Sequence, residues 1–151
     1  MPRTSAGILM FRRTNGDAEV LLVHPGGPFW AKKDAGAWSI PKGEPEPGED
    51  HFACAKREFA EEMGSPVEGD FIPLEPCRQA GGKVVSAWAV RSDFDPAGLE
   101  SNTFSMEWPP RSGRQQAFPE VDRAAWFSLD EARGKILSGQ VGLLDQLAKL
   151  L

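Results

Sequence analysis

Between Gly43 and Ser65 the chain reads GEPEPGEDHFACAKREFAEEMGS, a Gly/Pro-rich loop that runs into a helix-forming stretch. Five residues separate Gly43 from Glu49, and seven more lead to Arg57-Glu58-Phe59-Ala60-Glu61-Glu62-Met63-Gly64. Pro47-Gly48 makes a turn. Glu49 and Asp50 then put negative charge at the start of a helix over Asp50–Met63, where the helix dipole favours it. Phe52, Ala55, Phe59 and Met63 fall at spacings of 3, 4 and 4 and form one apolar stripe. Gly64 suits a left-handed C-cap, and Pro66 blocks any continuation.

Glu58, Glu61 and Glu62 share another face of the same helix. Three carboxylates crowded together repel, and a bound Mg²⁺ would relieve that repulsion. This ion takes oxygen ligands, keeps several waters and bridges carboxylates to substrate phosphates. Arg57 lies four residues before Glu61 and can pair with it. A solvated acidic helix face with ordinary i,i+4 support is the plain alternative. The glycine, loop and Glu49 upstream at fixed spacing favour the site reading.

Gly43 to Ser65 resembles the box of the Nudix hydrolases, Gx5Ex7REUxEExGU, where U is a bulky or aliphatic apolar residue. Every fixed position matches. Phe59 serves at the first U, while Ser65 stands where the family usually has an apolar residue, a departure that bears on packing more than on chemistry. The resemblance implies a metal-dependent pyrophosphohydrolase with one to three Mg²⁺ or Mn²⁺ ions. Glu58 and Glu62 are then the main metal ligands and Glu61 a further or water-mediated one. Glu49 supports the metal from the loop, Gly43 offers its carbonyl, and Arg57 orients the glutamates. The general base in the family is often a glutamate beyond the box. Glu120, just before the AAWFSL run, is favoured here, with Glu107 as the other candidate; a simple surface carboxylate is the alternative for both.

Three cations are candidates for phosphate binding. Lys42 stands at the mouth of the box, with a solvated lysine as its alternative. Arg111 and Arg114, in the loop after Trp108, are suited to a bidentate clamp, with a plain charged loop as theirs. Trp30, Trp88 and Trp108 are candidate adenine platforms, set against ordinary core or loop packing. His24 and His51 lack metal-ligand spacing and receive no role.

The chain has 151 residues, 40% of them hydrophobic and 26% charged, which is one domain over 1–151 with a substantial core. Its net charge of −5 carries no basic footprint for duplex nucleic acid. An acidic protein that handles anionic phosphates needs a metal or local Arg/Lys to invert the field. Cys54 and Cys77 are not at metal spacing, Cys54 reads as a small packing residue, and neither implies a disulfide, so a reducing cytoplasm is the default. The apolar run Ala6–Phe11 reads as a first strand, not a leader, and no run is long enough to span a bilayer.

Strands are expected at Ser5–Arg12 and Ala18–His24, joined by a hairpin turn at Asn15-Gly16. Others are expected at Trp38–Pro41, Gly69–Leu74, Lys83–Arg91, Phe104–Trp108 and Arg123–Leu129. Pro25–Gly36 and Pro109–Pro119 read as loops. A short helix starts at Leu129-Asp130-Glu131, and an amphipathic helix over Gln140–Leu151 closes the chain. Mixed strands with helices between and after them imply a sheet covered on both faces, an α/β class. The resemblance implies the same, an α/β/α sandwich with a mixed sheet.

Trp38-Ser-Ile-Pro-Lys-Gly-Glu-Pro-Glu-Pro-Gly-Glu49 resembles the WxPPKGxxExGE lead-in of the diadenosine polyphosphate hydrolases in this family. Those enzymes often carry a downstream Tyr, and this chain contains none. The leading expectation is cleavage of a nucleoside diphosphate linked to another group, with diadenosine tetraphosphate or a related nucleotide as first guess. The alternatives are pyrophosphatase action on a non-standard nucleoside triphosphate, and a non-catalytic nucleotide-binding module. No protein partner is implied. Homodimers are common in the family, although nothing in this chain marks an interface.

Overall fold

The computed structural model describes residues 3–151. Two long strands, β1 (Thr4–Thr14) and β2 (Asp17–Pro25), pair antiparallel at its centre. Asn15 and Gly16 join them with positive φ at both positions, the geometry of a two-residue hairpin turn. After β2 come the short β3 (Lys42–Gly43), helix α1 (His51–Met63), and strands β4 (Phe71–Pro73), β5 (Cys77–Arg78) and β6 (Val84–Arg91). The chain continues through β7 (Thr103–Glu107), β8 (Gln115–Pro119), β9 (Val121–Ser128), α2 (Leu129–Lys135) and α3 (Val141–Leu150).

The main sheet has the order β4-β6-β1-β2-β9, with β3 added beside β1 and β5 beside β6. β1 and β6 run parallel while the other pairings are antiparallel, so the sheet is mixed. Side chains alternate between faces along a strand. Ala6, Ile8 and Met10 of β1, with Leu21 and Val23 of β2, meet Cys54, Ala55, Phe59 and Met63 of α1. On the opposite face Leu9, Phe11, Val20 and Leu22 meet Ala132 of α2 and Leu143, Leu144 and Leu147 of α3. The sheet is covered on both faces, which is why β1 and β2 read as continuous apolar runs instead of alternating ones. The architecture is an α/β/α sandwich, as expected. Among the described residues no helix is long and apolar enough to cross a membrane.

Three local expectations are corrected. Pro109–Pro119 is not a loop throughout, because its second half forms β8, paired to β7 from Thr103↔Pro119 to Glu107↔Gln115. β8 is exposed at every position but Phe118, so it lacks the alternation that marks a half-buried strand. Trp38–Pro41 is not a strand: single bridges join Ser39 to Val23 and Trp38 to Ile136, and the ladder with β1 starts only at Lys42. Phe52 is not part of the buried stripe of α1. It lies half-buried against Phe71 and Trp88, and Cys54 fills the core instead.

Candidate active site

The box begins where β3 lies against Ala6 and Gly7 of β1, which fixes Gly43 at the edge of the central strands. Asp50 caps α1 by accepting the Ala53 N–H (3.1 Å), and Gly64 ends the helix in the left-handed conformation. Arg57 sits at the centre of the loop–helix junction. Its Nε donates to Glu49 Oε2 (2.8 Å) and its Nη2 to Glu49 Oε1 (2.9 Å), a bidentate fork. Its Nη1 donates to Glu58 (3.0 Å) and Glu61 (3.1 Å), and its Nη2 also reaches the Glu44 carbonyl (3.3 Å). Glu49 Oε1 accepts the Glu46 N–H as well (2.9 Å). The Arg57 fork and this backbone bond hold the Glu49 carboxyl down at about 2. The expected Arg57–Glu61 pair is present, but the main partner is Glu49, and Glu49 is spent on the loop.

A cavity of about 560 Å³ opens beside this junction. Glu58, Glu61 and Glu62 of α1 line it with Gly43, Lys42 and Glu120. A Cβ added at Gly43 would collide with the Glu58 carboxyl, so only glycine leaves that carboxylate its place. Burial raises the Glu58 carboxyl against the pull of Arg57. Burial, then the neighbouring Glu58, pushes Glu62 up to about 8, despite Lys42 nearby. Glu120 is raised too, by burial and by Glu61. Lys42 is lowered by burial and by the charge of Lys83.

Backbone bonds fix Glu120 relative to α1. Asn102 N–H donates to the Glu61 carbonyl, Glu120 N–H to the Asn102 carbonyl, and Gly26 N–H to the Glu120 carbonyl, each at 2.9 Å. Glu107 stands elsewhere: its carboxylate accepts the Arg111 N–H (2.8 Å) at the far end of the β7–β8 hairpin. Trp108, Arg111 and Arg114 occupy that same end, and none of them lines the carboxylate cavity. Trp108 packs edge-on against Phe29, with ring centroids 5.4 Å apart, and Trp88 packs against Phe52. Asn102 and Arg3, which also line the cavity, carry no motif that would have picked them out. His24 is fully buried, with Nδ1 at 2.8 Å from Asp122 and Nε2 at 2.6 Å from the Lys33 carbonyl. It ties β2 to β9 and to the Pro25–Gly36 loop, a role its position in the chain does not disclose.

Among the described residues no three His, Cys, Asp or Glu side chains already converge as metal ligands. The donor set nonetheless fits a hard divalent cation. It supplies several carboxylates in one cavity, a glycine whose missing side chain leaves them room, and carboxyls raised by burial and mutual repulsion.

A stability effect follows from Glu62. With a folded value near 8 and an ordinary value of 4.5, it keeps a proton in the folded state that the unfolded chain has already released. Over that window stability therefore falls as pH rises. The metal-free protein is expected to lose roughly 2–4 kcal/mol between pH 5 and pH 8.5 from this group. Melting curves in EDTA at the two pH values, beside Glu62→Gln, measure it. Equal pH responses in wild type and variant would refute the assignment.

The whole-chain comparisons agree with this architecture. A family model described as NUDIX domain matches residues 1–147. The Ap4A hydrolase of C. elegans, solved as a binary complex, superposes with a TM-score of 0.67 at 23% identity, covering 97% of this chain and 96% of that one. The NUDIX domain of Shewanella oneidensis NrtR, complexed with ADP ribose, gives 0.69 at 15% identity and covers 99% and 88%. A NUDIX hydrolase from Nitrosomonas europaea gives 0.60 at 23% and covers 99% and 87%. At these identities the likeness shows a common fold. The chain belongs to the Nudix family of hydrolases, enzymes that act on nucleoside diphosphates linked to a further group.

Proposed function

We propose that this protein hydrolyses a phosphoanhydride bond in a nucleoside diphosphate joined to another group, with a dinucleoside polyphosphate such as diadenosine tetraphosphate as the first substrate to test. The observation that carries this reading is the cavity in which Glu58, Glu61, Glu62 and Glu120 face one another beside Gly43. Glu58, Glu61 and Glu62 would hold Mg²⁺ or Mn²⁺. Such a cation, when bound, neutralises phosphate-oxygen charge and lowers the pKa of water. The chain's own residues then have separate tasks. Arg57 holds the loop and helix carboxylates in register. Lys42, at the cavity wall, offers a positive charge to a phosphate. Glu120, raised by burial and by Glu61, accepts a proton from the attacking water. Glu49 supports the site indirectly, through Arg57. The Trp38–Glu49 lead-in and the likeness to the C. elegans Ap4A hydrolase support the dinucleotide choice.

Product analysis on diadenosine polyphosphates, ADP-ribose, nucleotide sugars and canonical and oxidised triphosphates tests the reading. Cleavage is expected with Mg²⁺ and is expected to vanish in EDTA and return with excess Mg²⁺. Asymmetric cleavage of a dinucleotide supports the first choice. Preferred release of pyrophosphate from a triphosphate would replace it with nucleotide clearance. Tight nucleotide binding with no product would overturn hydrolysis altogether.

A further inference from the structure

We propose that the cleft between the Pro25–Trp30 loop and the β7–β8 hairpin seats a flat aromatic group of the substrate on Trp30 and Phe104, and accepts such groups without reading their edges. This rests on the phosphoanhydride reading of the adjoining carboxylate cavity. The cleft has a volume of about 390 Å³, and Pro25, Phe29, Trp30, Phe104, Met106 and Glu120 are among its walls. Phe29 and Trp30 are 62% and 39% exposed at the rim of this cleft, which leaves aromatic surface open to it.

The cleft is built rather than incidental. At its base a Cβ on Gly26 would collide with the Pro119 carbonyl, and the Gly26 N–H is bonded to Glu120. A Cβ on Gly27 would stand 2.9 Å from Phe104 Cζ, so the loop backbone rests on that ring. At the outer end Phe29 meets Trp108 edge-on. Loop and hairpin are thus fastened at both ends and leave the space between them open. Two bare glycines make the inner fastening possible.

The cleft also leads to the carboxylates. A second cleft of about 280 Å³ shares Pro25, Trp30 and Glu120 with it and includes Lys42 and Glu62 in its walls. A phosphate chain at Glu62 and Glu120 can therefore extend directly to Trp30. Recognition at the far end is poor in hydrogen-bonding groups: only the Trp30 indole N–H and the Glu120 carboxylate contribute strong ones from side chains lining the cleft. A site that hydrogen-bonds its ligand rejects a mismatched one by about 10⁴-fold or more, whereas an apolar one discriminates by about 10–200-fold. Stacking tolerates every base because each presents a π-face.

The test compares diadenosine, diguanosine, dicytidine and diuridine tetraphosphates with inorganic tetraphosphate and an alkyl diphosphate, on wild type, Trp30→Ala, Trp30→Phe and Phe104→Ala. Calorimetric binding of the four nucleoside monophosphates is measured in parallel. Values of kcat/KM across the four bases are expected within roughly tenfold. Trp30→Ala is expected to raise KM and the monophosphate Kd by about 10–100-fold, with kcat changed far less, and Trp30→Phe to restore most of the loss. A preference for one base above a hundredfold, an unchanged KM in Trp30→Ala, or an alkyl diphosphate cleaved as well as the nucleotides would overturn the proposal. If no compound is cleaved, the hydrolase reading fails by itself, and the binding data still decide the role of Trp30.

Discussion

Glu62→Gln is expected to lower turnover on the order of 10³-fold while leaving the protein folded. The amide keeps the shape of the side chain and removes its charge. Glu62 is half-buried, at the wall where Glu58 and Glu120 also stand and next to Lys42. A neutral amide there cannot supply an anionic oxygen to a hard cation. The folded chain loses little, because the replaced carboxyl is one that burial and Glu58 already disfavour as an anion. Far-UV circular dichroism should therefore match wild type, and the metal-free variant should melt higher than wild type at pH 8.5. A variant with near-normal kcat would remove Glu62 from the site.

Arg57→Ala is expected to be the most destabilising of the single changes in the box, at about 2–3 kcal/mol. The guanidinium makes bonds to Glu49, Glu58, Glu61 and the Glu44 carbonyl, and its side chain is only 26% exposed. Truncation leaves three carboxylates with no counter-charge in a region of partial burial. Were the pair of Arg57 and Glu61 an ordinary exposed helix pair, the cost would stay under about 0.5 kcal/mol. Arg57→Lys keeps the charge but loses the fork on Glu49, and should recover only part of the stability. Urea titrations of Arg57→Ala, Glu49→Ala and the double variant check this. A coupling below about 0.5 kcal/mol would mean that the Arg57–Glu49 fork is an ordinary surface contact.

Much of this was legible in the sequence where local rules and tertiary packing agree. The Asn15-Gly16 turn, the apolar runs of β1 and β2, and the capped helix α1 are such places. Glu120 could be placed beside the metal face only through the family resemblance, and the structure brings it into the carboxylate cavity. What the sequence left open has physical causes. β8 pairs only with β7 and buries little, so its residues carry no alternating pattern. Arg111, Arg114 and Trp108 lie at the end of that hairpin and do not line the carboxylate cavity, a placement that residue type alone does not foretell. The family resemblance gives Glu49 the part of supporting the metal from the loop. Its oxygens accept from Arg57 and from the Glu46 N–H, contacts that spacing alone does not disclose. Asn102 lies in a polar stretch with no motif, and its place beside Glu61 depends on backbone bonding across the fold.

The run of backbone bonds from Glu61 through Asn102 and Glu120 to Gly26 separates reach from chemistry. The hairpin hangs from this belt by both its feet, since Asn102 precedes β7 and Glu120 follows β8. Residues added or deleted beyond Glu107 and Gln115 change what overhangs the cleft, and they do so without shifting Glu120 against α1. The hairpin is in effect an exchangeable visor. A change in the length of the hairpin tip is expected to alter what the cleft admits and to leave the layout of the carboxylates unchanged.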